Sequence, residues 1–544
     1  MMTENRLPRW VTWGQWVLVA LLLAVLGFYL FVYVRYAVAL IQFPFDYDQG
    51  EGFELNDTLY LARGEWPYRS FEAFPFYSSN YPPLYHLVLV PFVWLFGPAY
   101  WYGRLFSFLA TLLTAAAIGY AVWRDGRVRH VRDGRGVAWV AVAMGLFYLS
   151  SNYVYHVGPL FRQHINMVML ETLAIVLLAD IKHVADPAAN VRRDNWRIVW
   201  ALVLLMAAGY TKQLAYATVI AAFVFLLFKG VRRAVVSGAI FGAVGLTIFG
   251  ALNVVTGGEW WFHIVISNIN EFVPGQFEGL FWQWYGLHAI LLWLGAAGVI
   301  AWSWRQPDWG WKTPSVYAIW LAAAIANSTL AGKWGAGESY FVTAIAAMCI
   351  GAGLLVSGLQ QLAEQRGGVS GAVIVAVLPL LLLVQSGRLV HMPTQGRLFG
   401  PIAQVLNLPT DQPYYDSQGY TQLGRPPNQI DTEQGYKILA YTQAVDGPVF
   451  TEEASFSLLA GHEQVGNPTQ LLNVYNADLL DTEPLVTAIE TQQFNVIILK
   501  AEFYPPPVLE AIGQYYKSIA TEPMNGFYYR VLVPRSAEEL PEQP

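Results

Sequence analysis

The sequence predicts a polytopic α-helical membrane protein of about eleven spans with a small α/β domain at its C-terminal end. Three observations predict it. Of 544 residues, 55% are hydrophobic and 13% charged, whereas soluble domains carry about 25% charged residues. Apolar runs repeatedly reach the roughly 20 residues that cross a bilayer core. After about Val390 the composition turns polar and acidic, with turn clusters such as Arg425-Pro426-Pro427. The net charge of −6, with no basic stripe, argues against a nucleic-acid partner. A lone Cys349 excludes an intramolecular disulfide and a cysteine-based zinc cluster.

Candidate spans fall at 14–41, 99–123, 137–158, 165–184, 196–211, 213–230, 234–256, 284–304, 314–331, 340–360 and 370–390. The first is too long for a signal-peptide core and is read as a retained span. The boundaries near Thr211 and Gly332 are the softest, because adjacent runs nearly touch. Leu84–Phe96 is apolar but short, follows Pro82-Pro83 and contains Pro91. The positive-inside rule decides its status. Arg124, Arg127, Arg129, Arg132 and Arg135 form the most basic short loop, and Arg6 and Arg9 precede the first span. Both groups are cytoplasmic only if Leu84–Phe96 does not cross, so it is read as juxtamembrane or re-entrant. Lys182, Arg192, Arg193, Arg197, Lys229, Arg232, Arg233, Arg305, Lys312 and Arg366 then also fall inside. The expected orientation is N-terminus in, C-terminus out, with residues 42–98 forming an acidic first outer loop.

The chain divides into a membrane domain, 1–390, and an extracytoplasmic domain, 391–544. In the latter, strands are expected at Gly447–Thr451, Phe494–Leu499 and Tyr528–Val533, with helices near 432–444, 482–492 and 506–518. The adjacent pair His462-Glu463 is too little for a site, and this domain reads as a lid or docking element.

Chemistry gathers on the outer side. Asp46, Asp48, Glu51, Glu54 and Asp57 lie within twelve residues directly after the first span. Gly50 and Gly52 bracket Glu51, which suggests a sharp backbone turn presenting that carboxylate. A partly desolvated carboxylate at a membrane surface can act as a general base. Arg104, Arg162, Lys212 and Lys333 each lie near the outer end of a span, where lone cations cost about 2.5–3.5 kcal/mol and so have partners. Together they could bind an anionic headgroup, phosphate foremost. His86, His156 and His164 share that side without a clear ligand spacing on one helix, so no metal site is read and a divalent metal is left open. Trp260-Trp261, Trp282, Trp284 and Tyr285 read as an interfacial belt, although aromatic faces also stack on sugars.

The order of motifs resembles the lipid-linked-sugar glycosyltransferases of the GT-C fold, specifically the family 39 group with protein O-mannosyltransferases and bacterial aminoarabinose transferases. An acidic pair is followed by Leu61-Ala62-Arg63-Gly64-Glu65-Trp66-Pro67-Tyr68, Asn80-Tyr81-Pro82-Pro83-Leu84-Tyr85, Leu95-Phe96-Gly97 and Gly103-Arg104-Leu105. Thr211-Lys212-Gln213, Gly332-Lys333-Trp334-Gly335 and Ser339-Tyr340-Phe341 resemble later motifs. The resemblance covers roughly residues 40–360. It implies a bacterial plasma-membrane enzyme with a polyprenyl-phosphate sugar donor and inversion at the anomeric carbon. By position Asp48 and Glu51 match the acidic pair, with Asp46 a substitute, and Arg104, Lys212 and Lys333 match donor-phosphate ligands. Two residues separate Asp48 from Glu51 where relatives often have an adjacent Asp-Glu. Arg162-Gln163-His164 stands where many relatives carry Arg-x-Asp, which places Arg162 and His164 at the substrate and alters acceptor handling. The alternative is a non-catalytic GT-C-like membrane subunit of a larger assembly, with partner subunits. A transporter is disfavoured, because no internal repeat is visible.

Overall fold

The computed structural model describes residues 8–126, 135–186, 189–268, 270–305, 314–419 and 424–537. Of the expected cytoplasmic charges, Arg6, Arg127, Arg129, Arg132 and Lys312 lie outside the described residues. The chain runs through α1 (Arg9–Gln42), α2 (Glu51–Ala62), α3 (Leu84–Phe96), α4 (Trp101–Asp125), α5 (Arg135–Ser150), α6 (Asn152–Val157) and α7 (Gln163–Leu178). There follow α8 (Val191–Thr211), α9 (Tyr216–Lys229), α10 (Val231–Val255), the short turn α11 (Glu259–Trp261), α12 (Pro274–Arg305), α13 (Val316–Ser328), α14 (Val342–Arg366) and α15 (Gly368–Gly387).

A helix stands at each expected span. Six of them, α1, α4, α10, α12, α14 and α15, are long and apolar enough to cross a membrane, and α5, α7, α9 and α13 are shorter apolar helices. The two soft boundaries are real breaks: Lys212 and Lys333 both leave the helical conformation between adjacent helices. At 13 residues, α3 spans about 20 Å, short of the roughly 30 Å hydrocarbon core, and exposes Trp94, Leu95 and Phe96.

Two helices show what surrounds the bundle. The α14 helix is apolar and buried almost all round, so it is the central helix. Its partner α12 approaches so closely that a Cβ on Gly298 would sit 1.9 Å from the Gly351 carbonyl oxygen, the small-residue packing of membrane helices. By contrast α10 is equally apolar yet buries only Ala234. A long apolar helix with so little protein cover is at home in lipid.

The C-terminal region carries β1 (His391–Pro393) paired antiparallel with β2 (Tyr414–Asp416). A four-stranded sheet has the order β3 (Val449–Thr451), β4 (Val496–Leu499), β6 (Phe527–Pro534), β5 (Tyr516–Met524). The first pair is parallel and the other two are antiparallel. Helices at Gln429–Gln443, Glu483–Glu490 and Pro506–Tyr515 stand where helices were expected, joined by Pro468–Asn476. The expected helix 506–518 overran into β5. Its hairpin turn, Asn525-Gly526, has both residues at positive φ, the geometry that two-residue hairpins require.

This region is packed onto the membrane bundle. Val449, Val496, Val531 and Tyr529 share one buried core with α1, α4 and α14, while Phe450, Ile497 and Leu532 pack with Phe71 and Phe76 of the first loop. Phe45 stacks on Phe456 at 5.7 Å. His156 pairs with Asp416 at 2.8 Å, and Asn152 donates to the same carboxylate at 2.6 Å. His156 is therefore part of the joint between α6 and β2.

Candidate active site

The five first-loop carboxylates are sorted by what they touch. Glu51 opens α2 and is fully buried. It accepts from Arg104 Nε at 2.9 Å and Nη2 at 2.7 Å, and from the Phe161 and Tyr47 amides at 2.6 and 3.0 Å. Arg104, equally buried, spends its remaining donors on the carbonyls of Leu40, Phe43 and Phe45. Neither lines the large cavity. This corrects the expectation that Glu51 presents a free carboxylate and that Arg104 holds phosphate, because an ion pair this desolvated leaves no donor or acceptor to spare. Asp46 is buried as well and accepts from the Ser455 amide at 3.1 Å. Burial, with Glu453 and Glu51 nearby, pushes its carboxyl well above the usual range. It fastens the C-terminal region and does not substitute for Asp48.

Asp48 is different. It lines a cavity of about 560 Å³ together with Arg162, Lys212 and Lys333. Arg162 grips it through Nε, at 2.9 Å, and Nη2. Both bonds land on Oδ2, so Oδ1 receives no hydrogen bond from the described residues. The glycines around Glu51 are needed for space and not for a turn. Gly50 has φ of −86°, but a Cβ there would fall 2.1 Å from the Arg162 guanidinium. One on Gly52 would lie 2.7 Å from the Asp46 carboxylate and from Ala454.

The cations divide in the same manner. Lys212 is nearly buried, with its ammonium over the rings of Tyr81 at 4.9 Å and Tyr340 at 5.7 Å. Lys333 sits in the turn after α13, which is stitched to the segment before α12 through Val273 N to Gly332 O at 2.7 Å and Trp334 N to Glu271 O at 2.8 Å. Neither lysine has a carboxylate within ion-pair range among the described residues. His164 is buried behind Tyr340 and does not line the cavity, contrary to its expected place at the substrate.

Sequence reasoning missed a second acidic group on the cavity wall. Glu54 and Asp57, both buried, line it one helical turn apart on α2, and His86 Nε2 lies 2.7 Å from Glu54. Asp57 accepts from Tyr77 at 2.7 Å and Ser79 at 2.5 Å. Burial pushes its carboxyl up to about 7 against the opposing pull of His86. These three side chains offer ligand atoms within 4.8 Å of one another and are, among the described residues, a group that could hold a divalent ion. The i, i+3 spacing of Glu54 and Asp57 was the available signal, but it needs His86 from another helix to mean anything.

The C-terminal region completes the wall with Asn467, Thr469, Gln470, Asn473 and Phe503. Glu452 positions it. This buried carboxylate accepts from the amides of Lys500, Ala501, Glu502 and Phe503 at 2.6 to 3.1 Å, and from Gln49 beside Asp48 at 3.3 Å. His462 and Glu463 serve elsewhere: His462 faces the Thr442 carbonyl oxygen at 2.9 Å, and Glu463 takes Tyr60 and Arg63.

No family model and no curated protein matches this sequence. Solved structures do. ArnT from Cupriavidus metallidurans in the apo state aligns over 95% of this chain and 97% of that one, with a TM-score of 0.54 at 14% identity. The same protein bound to undecaprenyl phosphate aligns with a TM-score of 0.53, equal coverage and 14% identity. The chain has the GT-C fold. The archaeal oligosaccharyltransferase AglB from Archaeoglobus fulgidus, in complex with an inhibitory peptide and a dolichol-phosphate, shares it at a TM-score of 0.51 and 11% identity, over 92% of this chain and 74% of that one. On this GT-C fold the large cavity opens between the loop after α1, the two lysine-bearing breaks and the C-terminal region.

Proposed function

We propose that the protein is an inverting glycosyltransferase that moves a sugar from a polyprenyl-phosphate donor to an acceptor. It works at the outer face of a bacterial plasma membrane, with its N-terminus cytoplasmic and the C-terminal region outside. The observation that carries this reading is the meeting of Asp48, Arg162, Lys212 and Lys333 in one cavity. An acid with an unclaimed oxygen, held by Arg162, stands beside two lysines that have no carboxylate within ion-pair range among the described residues, as suits a transfer with an anionic leaving group. The undecaprenyl phosphate in the ArnT structure and the dolichol-phosphate in the AglB structure support a lipid-phosphate ligand for this fold.

Asp48 Oδ1 takes the proton of the acceptor hydroxyl or amine as that atom attacks the anomeric carbon. The bond from the anomeric carbon to the phosphate oxygen breaks, and its electron pair leaves with the lipid phosphate. Arg162 keeps Asp48 aimed, since a charge-assisted pair fixes its rotamer. Lys212 and Lys333 take up the growing charge on the leaving phosphate. Glu51 and Arg104 hold the loop that carries Asp48 and touch no substrate.

The test is transfer of radiolabelled sugar from polyprenyl phosphate in membranes containing the protein. Asp48→Asn is expected to lower the rate by about 10²–10⁴-fold while thermal unfolding in detergent is unchanged. Equal transfer by wild type and Asp48→Asn would refute the mechanism, and no transfer above background by the wild type would favour a non-catalytic subunit.

A further inference from the structure

Five amides of the cavity wall share one polarity. Gln213, Asn268, Asn270, Gln276 and Gln470 all line it. Each spends its side-chain NH2 on a backbone carbonyl: Gln213 and Asn268 on Asn80 at 2.8 and 3.0 Å, Asn270 on Trp334 at 2.7 Å, Gln276 on Ala331, Lys333 and Ala336 at 2.6 to 3.0 Å, and Gln470 on Ser267 at 3.3 Å. Their amide oxygens receive no hydrogen bond from the described residues, and none of the five oxygens is enclosed. An amide tethered through its nitrogen is held in one orientation, so its oxygen is presented as an acceptor in a fixed place.

We infer that these five amides form the pocket for the donor's sugar ring, and that this ring is a neutral, hydroxyl-rich hexose rather than an acidic sugar. This rests on the lipid-phosphate reading of the same site. Hydroxyl groups donate to such acceptors, whereas a carboxylate would set lone pairs against lone pairs. Placement agrees with chemistry. Gln213 follows Lys212 directly, and Gln276 and Asn270 hold the backbone of Lys333 and Trp334, so a phosphate on the lysines carries its sugar onto the amides. Trp334 and Phe503 meet edge to face at 6.4 Å, offering aromatic surface for the ring's C–H face.

The test compares three soluble probes on the full-length protein in detergent by calorimetry: farnesyl phosphate, farnesyl-phosphoryl-mannose and farnesyl-phosphoryl-glucuronate. The mannosyl probe is expected to bind at least tenfold tighter than farnesyl phosphate, and the glucuronosyl probe no tighter. Asn268→Ala and Gln470→Ala are each expected to cut the mannosyl gain at least threefold, with the affinity for farnesyl phosphate retained as proof of fold. A mannosyl gain under threefold, an equal gain for glucuronate, or gains untouched in both variants overturns the sugar pocket and leaves the phosphate reading standing. Absence of farnesyl phosphate binding to the wild type overturns both.

Discussion

Glu51 and Arg104 satisfy one another completely: a bidentate ion pair with no solvent exposure on either side, closed by the carbonyls of Leu40, Phe43 and Phe45. The pair ties the loop after α1 to α4 and to the Phe161 amide. Removing one partner strands a buried charge, which costs about 3–5 kcal/mol. Glu51→Gln and Arg104→Met are therefore expected to lower stability by about that amount, read as thermal unfolding in detergent. A variant with full stability and no transfer would return Glu51 to the chemistry.

The two cavity lysines should act on the donor more than on the acceptor. A hydrogen bond to a charged group contributes about 1.5–3 kcal/mol, or roughly 10- to 150-fold in binding. Lys212→Ala and Lys333→Ala are each expected to raise the donor KM within that range, with the acceptor KM little changed. Salt should weaken donor binding to the wild type more than to either variant. An acceptor KM that rises as much as the donor KM would argue against phosphate at the lysines.

Asp57 gives a pH signature whose sign is fixed by its raised carboxyl. Its folded-state pKa of about 7 exceeds the unfolded value of about 3.9, so the folded protein binds the extra proton between those values. Stability from this group is present below about 4 and falls as pH rises toward 7. Asp57→Asn abolishes the titration. Unfolding temperatures from pH 4 to 8 should thus fall less steeply for Asp57→Asn than for wild type. Parallel curves would contradict this assignment.

The bundle was legible because its signal is local: long apolar runs and arginine loops depend on neighbours in sequence, and the breaks at Lys212 and Lys333 showed as seams between runs. The presence of an acidic loop after the first span was legible for the same reason. The division of labour within it was not. Glu51 and Asp48 differ in what comes to meet them, Arg104 from α4 and Arg162 from the turn before α7, and such pairings exist only after packing. The amides that line the cavity come from four separate segments, and Glu452 reaches Gln49 across some four hundred positions. The hairpin between β5 and β6 was legible in Asn525-Gly526 but was hidden by the helix-like stretch preceding it.

Gly50 offers the sharpest separation between backbone freedom and space. Its φ of −86° and ψ of −9° suit alanine as well as glycine, so Gly50→Ala should fold. The added methyl would nevertheless occupy the place where the Arg162 guanidinium lies, at 2.1 Å, and Arg162 must swing away from Asp48. The carboxylate then loses the partner that aims it, and a positioning loss of this size can cost about 10²-fold in rate. Gly50→Ala is expected to lower kcat with little change in donor KM or in unfolding temperature. Shortening the clashing side chain in the double variant Gly50→Ala/Arg162→Lys should return part of the rate, because an ammonium can reach Asp48 without crossing the methyl. A Gly50→Ala protein with wild-type kcat would mean that the Arg162 contact has no role in transfer.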